Sequence, residues 1–216
     1  MGLMLAKAGL ALGLTCLLSA CGHTPISRTV ADALLGGPSV DQIKLNPALR
    51  YLRVSGNSDP VLMVLGYADH TPEGVIETWY SNSGEVLRLR EGRILSSAGL
   101  PTDWSGVRYR AVPAWQALGP ASAAKYIRQR DEMPGYRFGI TETVVLRGIE
   151  APSQVRLVGL PAAELRWYEE TVLGQQRPSA RYGLGFWDGS PRVVYGEQCL
   201  SESLCLAWQQ WPPTRR

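Results

Sequence analysis

The chain has 216 residues, a formal net charge of +3, two histidines and four cysteines. A charge balance this even offers no basic field for nucleic acid or anionic lipid. The few histidines and cysteines lack the spacing of a metal site, so no metal and no cofactor is expected.

The first element is an N-terminal signal. Lys7 precedes an apolar run from Ala8 to Leu18 that ends in small residues, and about 11 apolar residues fall short of the ~20 that a spanning helix needs. Leu18-Ser19-Ala20-Cys21 then has the form of a bacterial lipobox. This predicts cleavage before Cys21, acylation (palmitate) of that cysteine, and a stable lipid anchor. Gly22 follows where inner-membrane retention usually reads Asp, which favours the outer membrane, with the body facing the periplasm. The expected organisation is a signal peptide over 1–20, a lipidated tether over 21–26 and one β-rich domain over 27–216.

After the tether, Arg28 to Leu35 reads as a short helix, with Ser27 as N-cap and Gly36-Gly37-Pro38 as stop. From Leu49 onward the pattern becomes short Val-, Leu-, Ile-, Tyr- and Trp-rich runs separated by Gly, Asn, Asp and Pro. Strands are predicted at 49–55, 60–68, 74–81, 85–90 and 93–98. Val61 to Leu65 is apolar throughout, which predicts a central strand covered on both faces. In Val86 to Arg90, Leu87 and Leu89 point one way and Arg88 and Arg90 the other. Further strands are predicted near 106–112, over 121–130 in preference to helix, and at 136–147, 154–159, 164–173, 180–187, 191–198 and 204–211. The sum is a mainly β chain: an antiparallel sheet, sandwich or irregular barrel with one short N-terminal helix. Cys199 and Cys205, with five residues between them, are expected to pair in an oxidising compartment.

The order and wording of several elements resemble the GfcB/YjbF family, the group 4 capsule polysaccharide lipoproteins. They are the lipobox, Ala33-Leu34-Leu35-Gly36, Leu65-Gly66, Trp79-Tyr80-Ser81, Gly84-Glu85-Val86-Leu87, Gly92-Arg93 and Gly99-Leu100. The likeness is strongest over about 30–100. Phe186-Trp187-Asp188-Gly189 and Leu206 to Trp211 fill the place of the Trp-rich strand pair with which such chains close, and the Cys199–Cys205 stretch departs from the pattern. The resemblance implies an outer-membrane lipoprotein working with a β-barrel membrane partner and periplasmic proteins in assembling or exporting capsule or exopolysaccharide. It implies no enzyme activity.

The residues give little support to catalysis. No GxSxG occurs, and a Ser-His-Asp arrangement would have to be built on His70. A glycosidase needs two carboxylates about 5–9.5 Å apart; Glu77, Glu142, Glu164, Glu169, Glu170 and Asp188 are the candidates, and spacing does not choose among them. A lipid-tethered glycan hydrolase therefore stands as the alternative to a non-catalytic accessory factor, with a pure scaffold for a barrel partner as a third reading. Candidate glycan or partner contacts are Trp79 and Tyr80, adjacent on one strand so that at most one faces the core, and two arginine pairs that each share a strand face, Arg88 with Arg90 and Arg128 with Arg130. A solvated outer face is the ordinary explanation of such arginine pairs.

Overall fold

The computed structural model describes residues 39–187 and 189–213; Cys21, the predicted helix over 28–35 and the signal lie outside them. Residues up to Ile43 form a separate unit, of which the described part is a single 3-10 turn, Val40–Gln42, with the Ser39 hydroxyl accepting from the Asp41 N–H. No helix among the described residues is long and apolar enough to cross a membrane.

From Lys44 the chain is one antiparallel β-structure. Its strands are β1 (Tyr51–Ser55), β2 (Val61–Thr71), β3 (Gly74–Ser81), β4 (Val86–Arg90), β5 (Arg93–Ala98), β6 (Asp103–Arg110), β7 (Ala123–Met133), β8 (Arg137–Ile149), β9 (Arg166–Val172), β10 (Ala180–Trp187), β11 (Ser190–Cys199) and β12 (Cys205–Trp211). They form one 12-stranded sheet in the order β5-β4-β3-β2-β1-β12-β11-β10-β9-β8-β7-β6. Every ladder is a chain neighbour except β1–β12, which joins the first strand to the last.

The two sheet edges, β5 and β6, are consecutive in sequence, and side chains bring them together. Ser97 Oγ donates to Asp103 Oδ1 (2.8 Å) and accepts from the Trp104 N–H (3.1 Å). Tyr109 Oη donates to the Ile94 carbonyl at 2.8 Å. The result is a nearly closed barrel, which leaves little free edge.

Period-two alternation sends one side chain in two inward, and the interior is filled rather than hollow. Leu52, Val54, Met63, Trp79, Leu87, Leu89, Trp104, Tyr182 and Trp208 are all buried there. The Trp208 ring lies across Gly196 on the neighbouring strand, where a Cβ would stand 2.5 Å from it. The β6–β7 connection tucks in at one mouth: Trp115 is buried against Tyr168 and Tyr182, and its indole N–H donates to the Glu91 carbonyl at 2.7 Å.

Two predictions need correction. Residues 154–159 form no strand; they belong to a strap, 150–165, laid over the outer face of β9, β11 and β12. Val155, Leu157 and Leu165 pack there on Trp167, Tyr195 and Ala207. Side chains meet the strap's backbone needs, since Gln209 both donates to and accepts from Val158, and Tyr195 Oη accepts from the Arg156 N–H. β2 is central but not covered on both faces: Met63 is buried on the inner face, whereas Leu62 and Val64, on the outer face, are only half-buried. Leu87 and Leu89 face inward as predicted, Arg88 and Arg90 are half-buried, and the remaining strands match their predicted places to within a few residues. Cys199 and Cys205 are bonded to each other directly across the β11–β12 hairpin.

Candidate functional site

The chemistry-bearing side chains gather on the inner wall of β7, β8 and β9. On β7, Tyr126, Arg128, Arg130 and Glu132 all face inward by alternation, and β8 sets Glu142 directly across from Arg128. Arg128 Nε donates to Glu142 Oε2 at 2.7 Å. Arg130 Nη2 and Nε reach Glu142 Oε1 at 3.0 and 3.3 Å. One carboxylate thus sits between two guanidiniums. Arg130 Nη1 continues to Glu132 Oε2 at 2.5 Å, and Arg137 at the rim reaches Glu132 Oε1 at 3.1 Å.

The Trp104 ring, from β6, forms the apolar side of this cluster, with the Arg130 and Arg128 guanidinium carbons 4.2 and 4.9 Å from its centroid. Stacking on an indole face stabilises a cation that has lost its water. Burial alone would push the Glu142 carboxyl up; the attraction of Arg128 and the hydrogen bonds from Arg130 outweigh it and hold the group below the usual carboxylate range. Burial likewise disfavours charge on Arg128, and Glu142 more than restores it.

A second buried pair lies beside Trp115, toward the mouth where the β6–β7 connection tucks in. Arg93 Nε donates to Glu170 Oε1 at 2.9 Å, and its guanidinium stacks 3.6 Å from the centroid of Trp115. Tyr182 Oη donates to the other Glu170 oxygen. Burial pushes the Tyr182 and Tyr126 hydroxyls well up, and Tyr109 up to about 12.

Arg128 and Arg130 do share one strand face, but it is the inner one. Both are at least 97% buried, so they form neither an exposed basic stripe nor a solvated face. The sequence signal that could have placed them is Glu142, directly across the ladder in the next strand of a hairpin. Of the adjacent pair on β3, Trp79 is buried and Tyr80 is 42% exposed. Tyr80 lies flat over Gly66, where a Cβ would stand 2.5 Å from the ring. Tyr67, 47% exposed, adjoins it, and Arg88 is close enough to act on its hydroxyl, so a small aromatic and basic patch forms on the outer face of β2–β4. Arg90 turns elsewhere, 5.5 Å from the Tyr109 centroid beside the seam.

The carboxylates considered for a hydrolase are not brought together in a cleft. Glu142 and Glu170 are buried in arginine pairs, Glu77 bonds Arg50, Glu169 bonds Arg181, and Glu164 and His70 are exposed on separate elements. Asp188 lies outside the described residues. No group of three or more metal-ligating side chains occurs among the described residues.

The family model for group 4 capsule polysaccharide lipoproteins, GfcB and YjbF, matches residues 37–205. The chain belongs to this family. The match takes in β1 to β11 and so every residue of both buried ion clusters. Among solved structures, the chain is similar to the crystal structure of the hypothetical lipoprotein YmcC from Escherichia coli (K12), with a TM-score of 0.57 and 15% identity over 90% of this chain and 99% of that one. At that identity the likeness is one of fold. No curated protein matches the chain.

Proposed function

We propose that this capsule polysaccharide lipoprotein is a non-catalytic accessory or assembly factor in the export of capsule or exopolysaccharide. In this reading it is anchored through acylated Cys21 to the outer membrane, faces the periplasm, and meets an outer-membrane β-barrel and periplasmic proteins of the export system. The observation that carries the pathway is the family match over residues 37–205. Support for a non-catalytic role comes from the candidate carboxylates, of which the two most buried are each already held by arginine. A filled barrel also suits a docking body better than a conduit, since its axis is occupied by tryptophan, tyrosine and ion pairs. The surface best suited to a sugar ring or a partner is the Tyr67, Tyr80 and Arg88 patch, where two flat rings stand exposed beside a half-buried cation.

The test is membrane fractionation of cells carrying wild type or Cys21→Ala, with mass spectrometry of the N-terminus and an assay of surface polymer. Acylation in the outer membrane, with release of the variant and loss of polymer, is the expected result. An unmodified Cys21, or polymer indifferent to the whole protein, defeats the anchor or the pathway respectively. Loss of polymer on replacing Glu164 or Glu169 alone, with the protein still folded and abundant, would reopen the hydrolase reading.

A further inference from the structure

The inner ion cluster is not electrically closed at its rim. Arg128 and Arg130 share Glu142 and Glu132, and Arg137 adds a third cation to Glu132. Beside them, on the β9–β10 connection, stands Arg177. It forms no ion pair among the described residues, and its Nη1 is shielded from solvent without a hydrogen-bond partner. Leaving a sheltered guanidinium N–H unmatched costs free energy that a folded protein ordinarily recovers through a partner. Burial, then repulsion from Arg130, already disfavours the charge on Arg177, and the pull of Glu142 and Glu132 does not offset them.

Arg177 borders an open polar groove of about 600 Å³ together with Arg137, Gln175, Gln176 and Glu202. The groove adjoins the buried cluster, since two of its lining residues contact it: Arg137 reaches Glu132 at 3.1 Å and Gln175 Nε2 lies 3.5 Å from Glu142 Oε1. Its lining therefore presents two guanidinium forks, two amides and one carboxylate at the end of the barrel. A guanidinium matches a planar carboxylate through paired N–H donors. The amides and Glu202 supply donors and acceptors for neighbouring hydroxyls. Glu202 in the same lining works against a dianion such as phosphate more than against a monoanionic carboxylate.

We propose that this groove is a binding site for a carboxylate-bearing sugar unit, whose carboxylate pairs with the part of the half-buried Arg177 guanidinium that lines the groove, the inner cluster supplying it no ion pair. The choice of a sugar rests on the polysaccharide reading above; the carboxylate preference rests on the groove alone.

The experiment is calorimetric titration of the full-length lipoprotein, and of its Arg177→Gln and Arg177→Lys variants, with an oligogalacturonate, the matching neutral galacto-oligosaccharide and inorganic phosphate. The oligogalacturonate is expected to bind wild type at least tenfold more tightly than the neutral sugar or phosphate. Arg177→Gln should weaken it at least tenfold, with Arg177→Lys between. Melting temperature supplies the second readout: Arg177→Gln loses no ion pair, so it should melt at or above wild type. Lack of oligogalacturonate binding, equal binding by Arg177→Gln, or phosphate binding as tight as the acidic sugar's each overturns the site. A polymer assay of a deletion strain separates the two readings. Polymer that needs the protein while the groove binds nothing leaves the pathway standing without the site; binding with polymer indifferent to the protein leaves the site without the pathway.

Discussion

The interior of the barrel is built in two ways. Along β1 to β4 and β12 the inward residues are Leu52, Val54, Met63, Trp79, Leu87, Leu89, Leu206 and Trp208, an apolar filling. Along β7 to β9 the same alternation turns Arg128, Arg130, Glu132, Glu142 and Glu170 to the same space. The apolar side is held by water's exclusion, roughly 25 cal/mol per Å² of buried apolar surface. On the ionic side desolvation opposes folding, and the arrangement persists only because each carboxylate finds arginine and the guanidiniums stack on Trp104 and Trp115. One side should therefore tolerate changes that keep volume, and the other changes that keep charge.

The largest test of that contrast is Glu142→Gln, which leaves Arg128 and Arg130 buried without their shared anion. A loss of about 3–5 kcal/mol in urea unfolding is expected. The triple variant Arg128→Leu, Arg130→Met, Glu142→Leu removes the shared carboxylate with both of its guanidiniums, while Glu132 keeps Arg137. It should be more stable than Glu142→Gln, and a triple variant weaker than the single one would mean the ions stabilise in their own right. Acid probes the same side. The folded Glu142 carboxyl titrates below its unfolded value, so its contribution is present above the ordinary carboxylate pKa and is lost as pH falls through the folded one. Wild type should lose stability across that window more steeply than the triple variant.

On the apolar side, Leu87→Ala should cost about 3 kcal/mol, with the same loss at pH 4 and pH 7. A pH-dependent loss there would show that the two sides are coupled through the packed interior. Between these and the surface lies the Cys199–Cys205 bond, which closes a sequence separation of 6; reducing it should lower stability by about 2 kcal/mol.

How much of this could be read beforehand follows from the same contrast. Leu87 and Leu89 against Arg88 and Arg90 is a pattern that hydropathy decodes, and the strand and its inner face match the prediction. Tyr126-Ile127-Arg128-Gln129-Arg130 has equal alternation, but hydropathy assigns its arginines outward, since a buried ion cluster exists only when another strand brings the matching carboxylate. That carboxylate, Glu142, is 12 residues on from Arg130, and in the sequence nothing distinguishes it from the other strand glutamates. The strap over 150–165 misled for a related reason. Its Val155, Leu157 and Val158 look like a strand's, and the Gln209 amide that replaces a ladder partner lies 51 residues away. Arg177 carried no local signal, because an unmatched charge is visible only once its neighbours are in place.

The smallest expected effect belongs to the outer face, where Arg181 on β10 spans Glu169 on β9 at 3.4 Å and Glu197 on β11 at 3.1 Å. These are the same charge types as the inner cluster and sit on neighbouring strands, but the Arg181 side chain is 34% exposed. Water screens the attraction, and ordering three flexible side chains opposes it, so Arg181→Ala should cost only about 0.2–1 kcal/mol and less in high salt. Double-mutant cycles of Arg181 with Glu197 and of Arg128 with Glu142 place the two environments on one scale. A coupling several times larger for the inner pair would show that burial sets the strength of a pair. Equal couplings would mean that enough water reaches the interior of β7–β9 to screen it, and the cost assigned to the unmatched Arg177 would shrink with it.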